Sequence, residues 1–145
     1  MSELDKRINW SLGNHDFLED QQRKRLIEFE NLILLAQNLE TIGGINFGGI
    51  DGVIGTNNKD NRITPEEFKL CIKKLHRQKT NVLVLHEGPE VTSQGLMANE
   101  FITSTLSDYN FPLIISGHAH WKTAISKVNE SQVVNVDGRV IVVQT

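Results

Sequence analysis

The sequence lacks several features that would assign the protein to a specialised class. It contains one cysteine, Cys71, among 145 residues, which excludes an internal disulfide. No apolar run is long enough to cross a bilayer, and the polar N-terminus has no apolar signal-peptide segment. The formal net charge is −3 and no basic face is evident, so a dedicated nucleic-acid binding surface is not expected. We therefore expect a cytoplasmic protein with no membrane partner.

What is present indicates one α/β domain. The length suits a single domain, and 39% hydrophobic residues are ordinary for a globular protein. Strand-like and helix-like segments alternate and end in a β meander, which predicts packed sheets with helices outside. We predict strands over residues 8–12, 81–85, 113–116, 123–128, 132–136 and 139–144, and two short strands within 41–55. We predict helices over residues 16–39, from residue 65 onward, and over 94–107. The last of these helices should be capped by Ser93 and should turn Met97 inward.

Residues 56–67 have the outline of a calcium-binding EF-hand loop but depart from it at decisive positions. The first position is threonine instead of aspartate, and Asn61 stands where the loop requires glycine. The same residues fit a helix start, with Thr64 as N-cap, Pro65 in the first turn and Glu67 completing a capping box. We predict a capped helix here and no calcium site.

The histidines are placed unevenly along the chain. Four of the five follow apolar, strand-like segments, and only His76 lies inside a predicted helix. Ligands of open α/β sheets bind at the carboxyl ends of the strands, and neutral imidazole is the commonest metal ligand in proteins. Gly117 is expected to let the chain turn between the strand and the last two histidines. Singly, each histidine also fits a surface position or a buried, hydrogen-bonded one; together they favour a metal site.

Three short stretches carry a resemblance to a known family. Gly-Asn-His-Asp at residues 13–16, His86, and Gly-His-Ala-His at residues 117–120 resemble the last three motifs of calcineurin-like metallophosphoesterases. The first two motifs of that superfamily, Asp-x-His and Gly-Asp-x-x-Asp, do not occur in the sequence. The resemblance therefore implies a single, N-terminally truncated metallophosphoesterase-like domain over residues 1–145, corresponding to the C-terminal two-thirds of the family's domain. The implied fold is α/β, a partial four-layer α/β/β/α sandwich.

The resemblance also implies roles for individual residues. Asn14, His86 and His118 would bind one divalent ion, and His120 would bind a second. His15 would hold the substrate phosphate or protonate the leaving oxygen, with Asp16 fixing the tautomer of its ring. Mixed nitrogen and oxygen ligands suit manganese, iron or zinc better than calcium. We interpret Glu87, which follows His86, as a carboxylate that faces solvent rather than one that supports the ligands.

Two classes of function follow. The first is a hydrolase that cleaves phosphomonoesters or phosphodiesters, a phosphatase or phosphodiesterase with a dinuclear metal centre that is incomplete in this chain alone. Its partners would be a small or macromolecular phosphate ester and a second chain that supplies the missing motifs. The alternative is a non-catalytic remnant that binds a single metal ion or a protein partner. No motif in the sequence selects a substrate.

Overall fold

The computed structural model describes residues 7–16, 18–56 and 59–142. The three helices in this part of the chain are α1 (Asp20–Ile27), α2 (Pro65–Arg77) and α3 (Glu100–Asp108), and a 3-10 turn covers Thr92–Gln94. None of these helices is long and apolar enough to cross a membrane. The strands are β1 (Ile8–Trp10), β2 (Leu32–Leu34), β3 (Leu39–Ile42), β4 (Ile45–Ile50), β5 (Val53–Ile54), β6 (Arg62–Ile63), β7 (Val82–Glu87), β8 (Leu113–Gly117), β9 (Ile125–Val128) and β10 (Ser131–Asn135).

A six-stranded sheet forms the centre of the protein, with strand order β3-β4-β7-β8-β10-β9. The four inner strands are parallel, and the edge strands β3 and β9 pair antiparallel with their neighbours. The carboxyl ends of β4, β7, β8 and β10 therefore meet at one edge of the sheet. Strand β1 lies outside this sheet and pairs parallel with β2, and β5 pairs parallel with β6. This arrangement confirms the predicted α/β class.

The hydrophobic core lies between the central sheet and two helices. Helix α2 contributes Phe68, Ile72 and Leu75, and α3 contributes Ile102 and Leu106. The inner strands supply fully buried side chains to the same cluster, namely Leu83, Ile114 and Val133. Burying this apolar area is the main force that holds the helices on the sheet and makes the sheet edge a rigid support.

The start of α2 confirms the predicted capping box. The Thr64 hydroxyl accepts a hydrogen bond from the Glu67 N–H at 3.2 Å, and the Glu67 carboxylate accepts one from the Thr64 N–H at 3.0 Å. Pro65 occupies the first turn. These bonds satisfy amide groups that a helix start leaves unpaired, so the residues that suggested an EF-hand serve a structural purpose. Residues 57 and 58 of that stretch lie outside the described residues.

The single helix predicted over residues 16–39 is wrong. Helix α1 ends at Ile27, and the apolar run that follows forms β2, which pairs with β1 through Ile8 and Leu32. Leu35, next after β2, is fully buried, whereas Phe29 is 63% exposed. An apolar run of four residues fits either a helix face or a short strand, and the contact with a distant strand decided the outcome.

The helix predicted over residues 94–107 begins later than expected. Ser93 lies in the 3-10 turn, which ends at Gly95 in a left-handed conformation with φ of 65°. The N-cap of α3 is Asn99, whose side-chain oxygen accepts from the N–H groups of Phe101 and Ile102. Met97, predicted to face inward, is 67% exposed.

The predicted β meander is reduced to one hairpin. Strands β9 and β10 pair antiparallel, but β10 then pairs parallel with β8. The turn predicted at residues 136–139 is present, with the Arg139 N–H donating to the Val136 carbonyl and Gly138 at a φ of 64°. Residues 139–142 form no strand, and residues 143 and 144 of the predicted strand lie outside the described chain.

Candidate metal centre

The parallel pairing of β7 and β8 brings His86 and His118 together at the carboxyl edge of the sheet. The register between the two strands shifts between Leu85 and Glu87, so His86 lies at an irregularity of the strand pairing. Irregularities of this kind change the direction in which a side chain points. His118 leaves the end of β8 with a φ of 64°. The ring centroids of the two histidines are 4.9 Å apart.

A turn after β1 completes the cluster. The Leu12 N–H donates to the Asp51 carboxylate at 2.9 Å, and the Gly52 N–H donates to the Leu12 carbonyl at 2.7 Å. These bonds fasten the chain after β1 to the end of β4, beside β7. As a result the side-chain oxygen Oδ1 of Asn14 lies 3.1 Å from Nε2 of His86.

The Asn14 oxygen and the nearer His86 nitrogen have the spacing that two ligands of one divalent ion would have. Two ligand atoms each about 2.1 Å from an ion and about 90° apart would be separated by about 3.0 Å, close to the distance between Asn14 and His86. Burial lowers the pKa of His86 below its ordinary value, and the neighbouring His118 lowers it further. The carboxylates of Asp16 and Glu87 partly oppose this shift, and His15 adds to it. A lowered pKa favours neutral imidazole, the form that binds metals. No group of three His, Cys, Asp or Glu side chains suited to a metal lies within the described ranges.

The Gly13–Asp16 turn, which carries His15 as well as Asn14, differs from expectation in one contact. The Asp16 carboxylate accepts a hydrogen bond from the Gly13 N–H at 2.7 Å, and the Gly13 carbonyl accepts from the Asp16 N–H. Both His15 and Asp16 are exposed, and no hydrogen bond joins their side chains in the described structure. Asp16 therefore closes the turn that presents Asn14, and the expected orientation of the His15 ring by Asp16 is not observed.

The family of the chain is decided by sequence. The sequence model of the calcineurin-like phosphoesterase family matches residues 1–122. This chain belongs to the calcineurin-like phosphoesterase family. No curated protein matches it.

Solved structures share the fold of this calcineurin-like phosphoesterase chain. One is TT1561 of Thermus thermophilus, with a TM-score of 0.63 and 15% identity over 79% of this chain and 53% of that one. A second has a TM-score of 0.73 and 14% identity over 89% of this chain and 56% of the other. The chain thus spans about half the length of the solved structures it matches.

The calcineurin-like phosphoesterase match covers all the predicted site residues, but the structure brings only part of them into one cluster. Asn14, His86 and His118 converge, whereas His120 is held elsewhere: its side chain is 92% exposed and its Nδ1 contacts the Asp137 carboxylate. Glu87 does not face solvent as predicted, because it is half-buried and its Oε2 accepts from the Ile54 N–H at 2.9 Å.

Sequence analysis missed two supports of this centre. Gly13 packs directly on the imidazole of His86, since a Cβ built at Gly13 would lie 2.7 Å from Cε1 of the ring. Asp137, together with Asn135 and Arg139, contacts the histidine loop (residues 118–121) from a segment predicted as two strands joined by a turn. The glycine that precedes Asn14 in the motif was a signal for the first; nothing local in the sequence indicated the second.

Proposed function

We propose that this chain carries one half of a metal-dependent phosphoesterase centre, with Asn14, His86 and His118 as the ligands of one divalent ion. The convergence of these three side chains is the observation that carries the proposal. They come from segments separated by tens of residues, yet they meet at the carboxyl edge of the sheet. The nitrogen and oxygen donors suit manganese, iron or zinc.

Bound divalent ions would supply Lewis acidity toward the phosphoryl oxygens of a phosphomonoester or phosphodiester. The chain's own residues would orient the ester and move a proton. His15 is exposed on the same turn as Asn14. From there its imidazole would contact the phosphate or protonate the leaving oxygen, as a general acid does.

A dinuclear centre needs more ligands than this chain offers. His120 is the candidate ligand for a second ion, and Asp137 at its Nδ1 leaves Nε2 for that purpose. The motifs Asp-x-His and Gly-Asp-x-x-Asp are absent from the sequence. We propose that the remaining ligands come from outside residues 1–145, from a second chain or from the rest of a longer protein.

A single-metal binding module is the second candidate. It is favoured by one observation: Asn14 and His118 both lie beside His86, so the candidate ligands of one ion are together without a contribution from a second chain. Three protein ligands and a water molecule form a complete zinc site in some enzymes. The two candidates predict different stoichiometries, two ions per chain when all ligands are supplied and one ion for the isolated module.

The test is hydrolysis of an aryl phosphodiester and an aryl phosphomonoester by the purified chain with added Mn²⁺, together with the metal content. His118→Ala should abolish hydrolysis, and His76→Ala is the matched control because His76 is exposed on α2 and stacks on Tyr109 and Phe111 instead. Hydrolysis that survives His118→Ala would refute the proposed site. One ion without hydrolysis would favour the single-metal module.

A further inference from the structure

A segment that begins at the last residue of β10 holds the histidine loop at three consecutive residues. The loop comprises residues 118–121, and the segment comprises residues 135–139. The Asn135 Nδ2 donates to the Ala119 carbonyl at 2.9 Å, the Asp137 carboxylate contacts Nδ1 of His120, and the Arg139 Nη2 donates to the Trp121 carbonyl at 2.6 Å. All three holding side chains lie beyond residues 1–122, which the family match covers.

Asn135 is the buried anchor of this segment. Its side chain is fully buried, and both polar atoms of its amide form hydrogen bonds. Oδ1 accepts from the Asp137 N–H at 3.0 Å, and Nδ2 donates to the Ala119 carbonyl. Its own N–H donates to the Ala124 carbonyl at 2.8 Å. One residue thus links the beginning of the histidine loop, the chain just after it, and the residue that contacts His120.

Asp137 determines which ring nitrogen of His120 carries the proton. An ionised carboxylate only accepts hydrogen bonds, so the neutral ring must place its proton on Nδ1, next to Asp137. Nε2 then keeps its lone pair on an imidazole that is 92% exposed. A carboxylate at the distal nitrogen is the common way in which proteins orient a metal-binding histidine.

We propose that Asn135, Asp137 and Arg139 are positioning residues that hold the loop of residues 118–121 so that His118 and His120 present their rings to divalent ions. The inference rests on the proposed function for its purpose, but the geometry of the loop is measurable without metal. The Ala119 and Trp121 N–H groups bond within residues 117–121. The buried Trp121 side chain, whose Nε1 donates to the Met97 carbonyl at 3.3 Å, anchors the far end of the loop, so the part that carries the two histidines depends on residues 135–139. His118 must also keep its positive φ. This conformation costs free energy and persists only where surrounding contacts impose it.

Two variants and two matched controls test the proposal. Asp137→Ala removes the partner of His120, and Asn135→Ala removes the buried anchor. Glu130→Ala removes an exposed carboxylate that pairs with Lys127, and Ser131→Ala removes a buried hydroxyl of β10 that accepts from the Phe111 N–H. Ser131→Ala therefore shows the effect of losing a buried hydrogen bond of β10 away from the loop.

The first readout is the tautomer of His120 in the metal-free protein, measured by long-range ¹H–¹⁵N NMR at about pH 8.5, above the reference pKa of imidazole. We expect the Nδ1–H tautomer in the unaltered protein and in Glu130→Ala, and a shift toward Nε2–H in Asp137→Ala. An unchanged tautomer in Asp137→Ala would overturn the inference. This readout also decides the matter if Asn135→Ala does not fold.

The second readout is Mn²⁺ affinity by calorimetry. Loss of a group that orients a metal ligand commonly lowers affinity by about 10- to 100-fold, and we expect that loss in Asn135→Ala and Asp137→Ala but not in the two controls. Equal loss in Asn135→Ala and Ser131→Ala would overturn the inference. If His118→Ala binds Mn²⁺ as well as the unaltered chain does, the proposed function fails, and the tautomer result still decides whether Asp137 orients the ring of His120.

Discussion

Gly13→Ala is the smallest change that tests how the centre is built. A Cβ at this position would lie 2.7 Å from Cε1, 3.0 Å from Nδ1 and 3.1 Å from Nε2 of His86. Carbon atoms in contact are ordinarily at least about 3.5 Å apart, so the imidazole would have to retreat by about 0.8 Å. Metal sites tolerate deviations of only about 0.2 Å in ligand distance. His86 could not retreat that far and keep its place beside Asn14.

The expected result is a large functional loss with a moderate loss of stability. Loss of a group that orients a metal ligand commonly lowers metal affinity by about 10- to 100-fold, and overpacking costs about 1–3 kcal/mol of folding free energy. Mn²⁺ affinity by calorimetry and urea denaturation measure the two effects. Gly117→Ala is the matched control, because a Cβ there would meet only the His86 carbonyl, at an ordinary 3.7 Å.

Unchanged Mn²⁺ affinity in Gly13→Ala would refute the argument that close packing of this glycine sets the position of His86. Equal losses in Gly13→Ala and Gly117→Ala would refute it too, because the second variant introduces no close contact.

Three further predictions concern stability, measured by urea denaturation. Thr64→Ala removes the N-cap of α2 and should lower the free energy of unfolding by about 1 kcal/mol; no change would mean that the capping box contributes nothing. Burial raises the pKa of Asp51 above 3.8, so the unaltered protein loses stability as pH rises and this carboxyl group ionises. Asp51→Asn keeps an acceptor for the Leu12 N–H but does not ionise, so its free energy of unfolding, relative to that of the unaltered protein, should be higher at pH 7 than at pH 3. A difference that does not change with pH would contradict this sign. Ile72→Ala leaves a cavity at a fully buried position and should cost about 2–5 kcal/mol, with a cost below about 1 kcal/mol arguing against the described core.

Elements whose signals are local were predictable from the sequence. The α2 capping box depends on residues three apart, and the short apolar runs of β7 and β8, which were predicted as strands, form strands. Residues 32–35 were not predictable in this way. The run forms β2 because β1, more than twenty residues earlier, offers it a partner, and Leu35 is buried against Gly49 of β4. Propensity and spacing within one segment contain no information about such a partner.

The candidate site, like the fold, has features that the sequence predicts and features that it does not. The placement of His86 and His118 is visible in the sequence because parallel strands bring their carboxyl ends together. Asn14 follows β1, outside the central sheet, and its approach depends on the bonds of Leu12, which the sequence does not reveal. The backbone detail is not visible: Gly117 was expected to make the turn, yet it has no positive φ, and His118 takes the left-handed conformation. A β-branched residue would be strained there, whereas histidine tolerates it better. The support from Asp137 is a contact between loops and leaves no periodic signal.

The central claim is that Asn14, His86 and His118 share one ion, and pulsed electron paramagnetic resonance of the chain loaded with one Mn²⁺ tests it most directly. The account predicts couplings to the nitrogens of both histidines, with one coupling lost in His118→Ala or His86→Ala and both kept in the exposed control His76→Ala. A Mn²⁺ spectrum without histidine nitrogen couplings, or one that His118→Ala leaves unchanged, would contradict it.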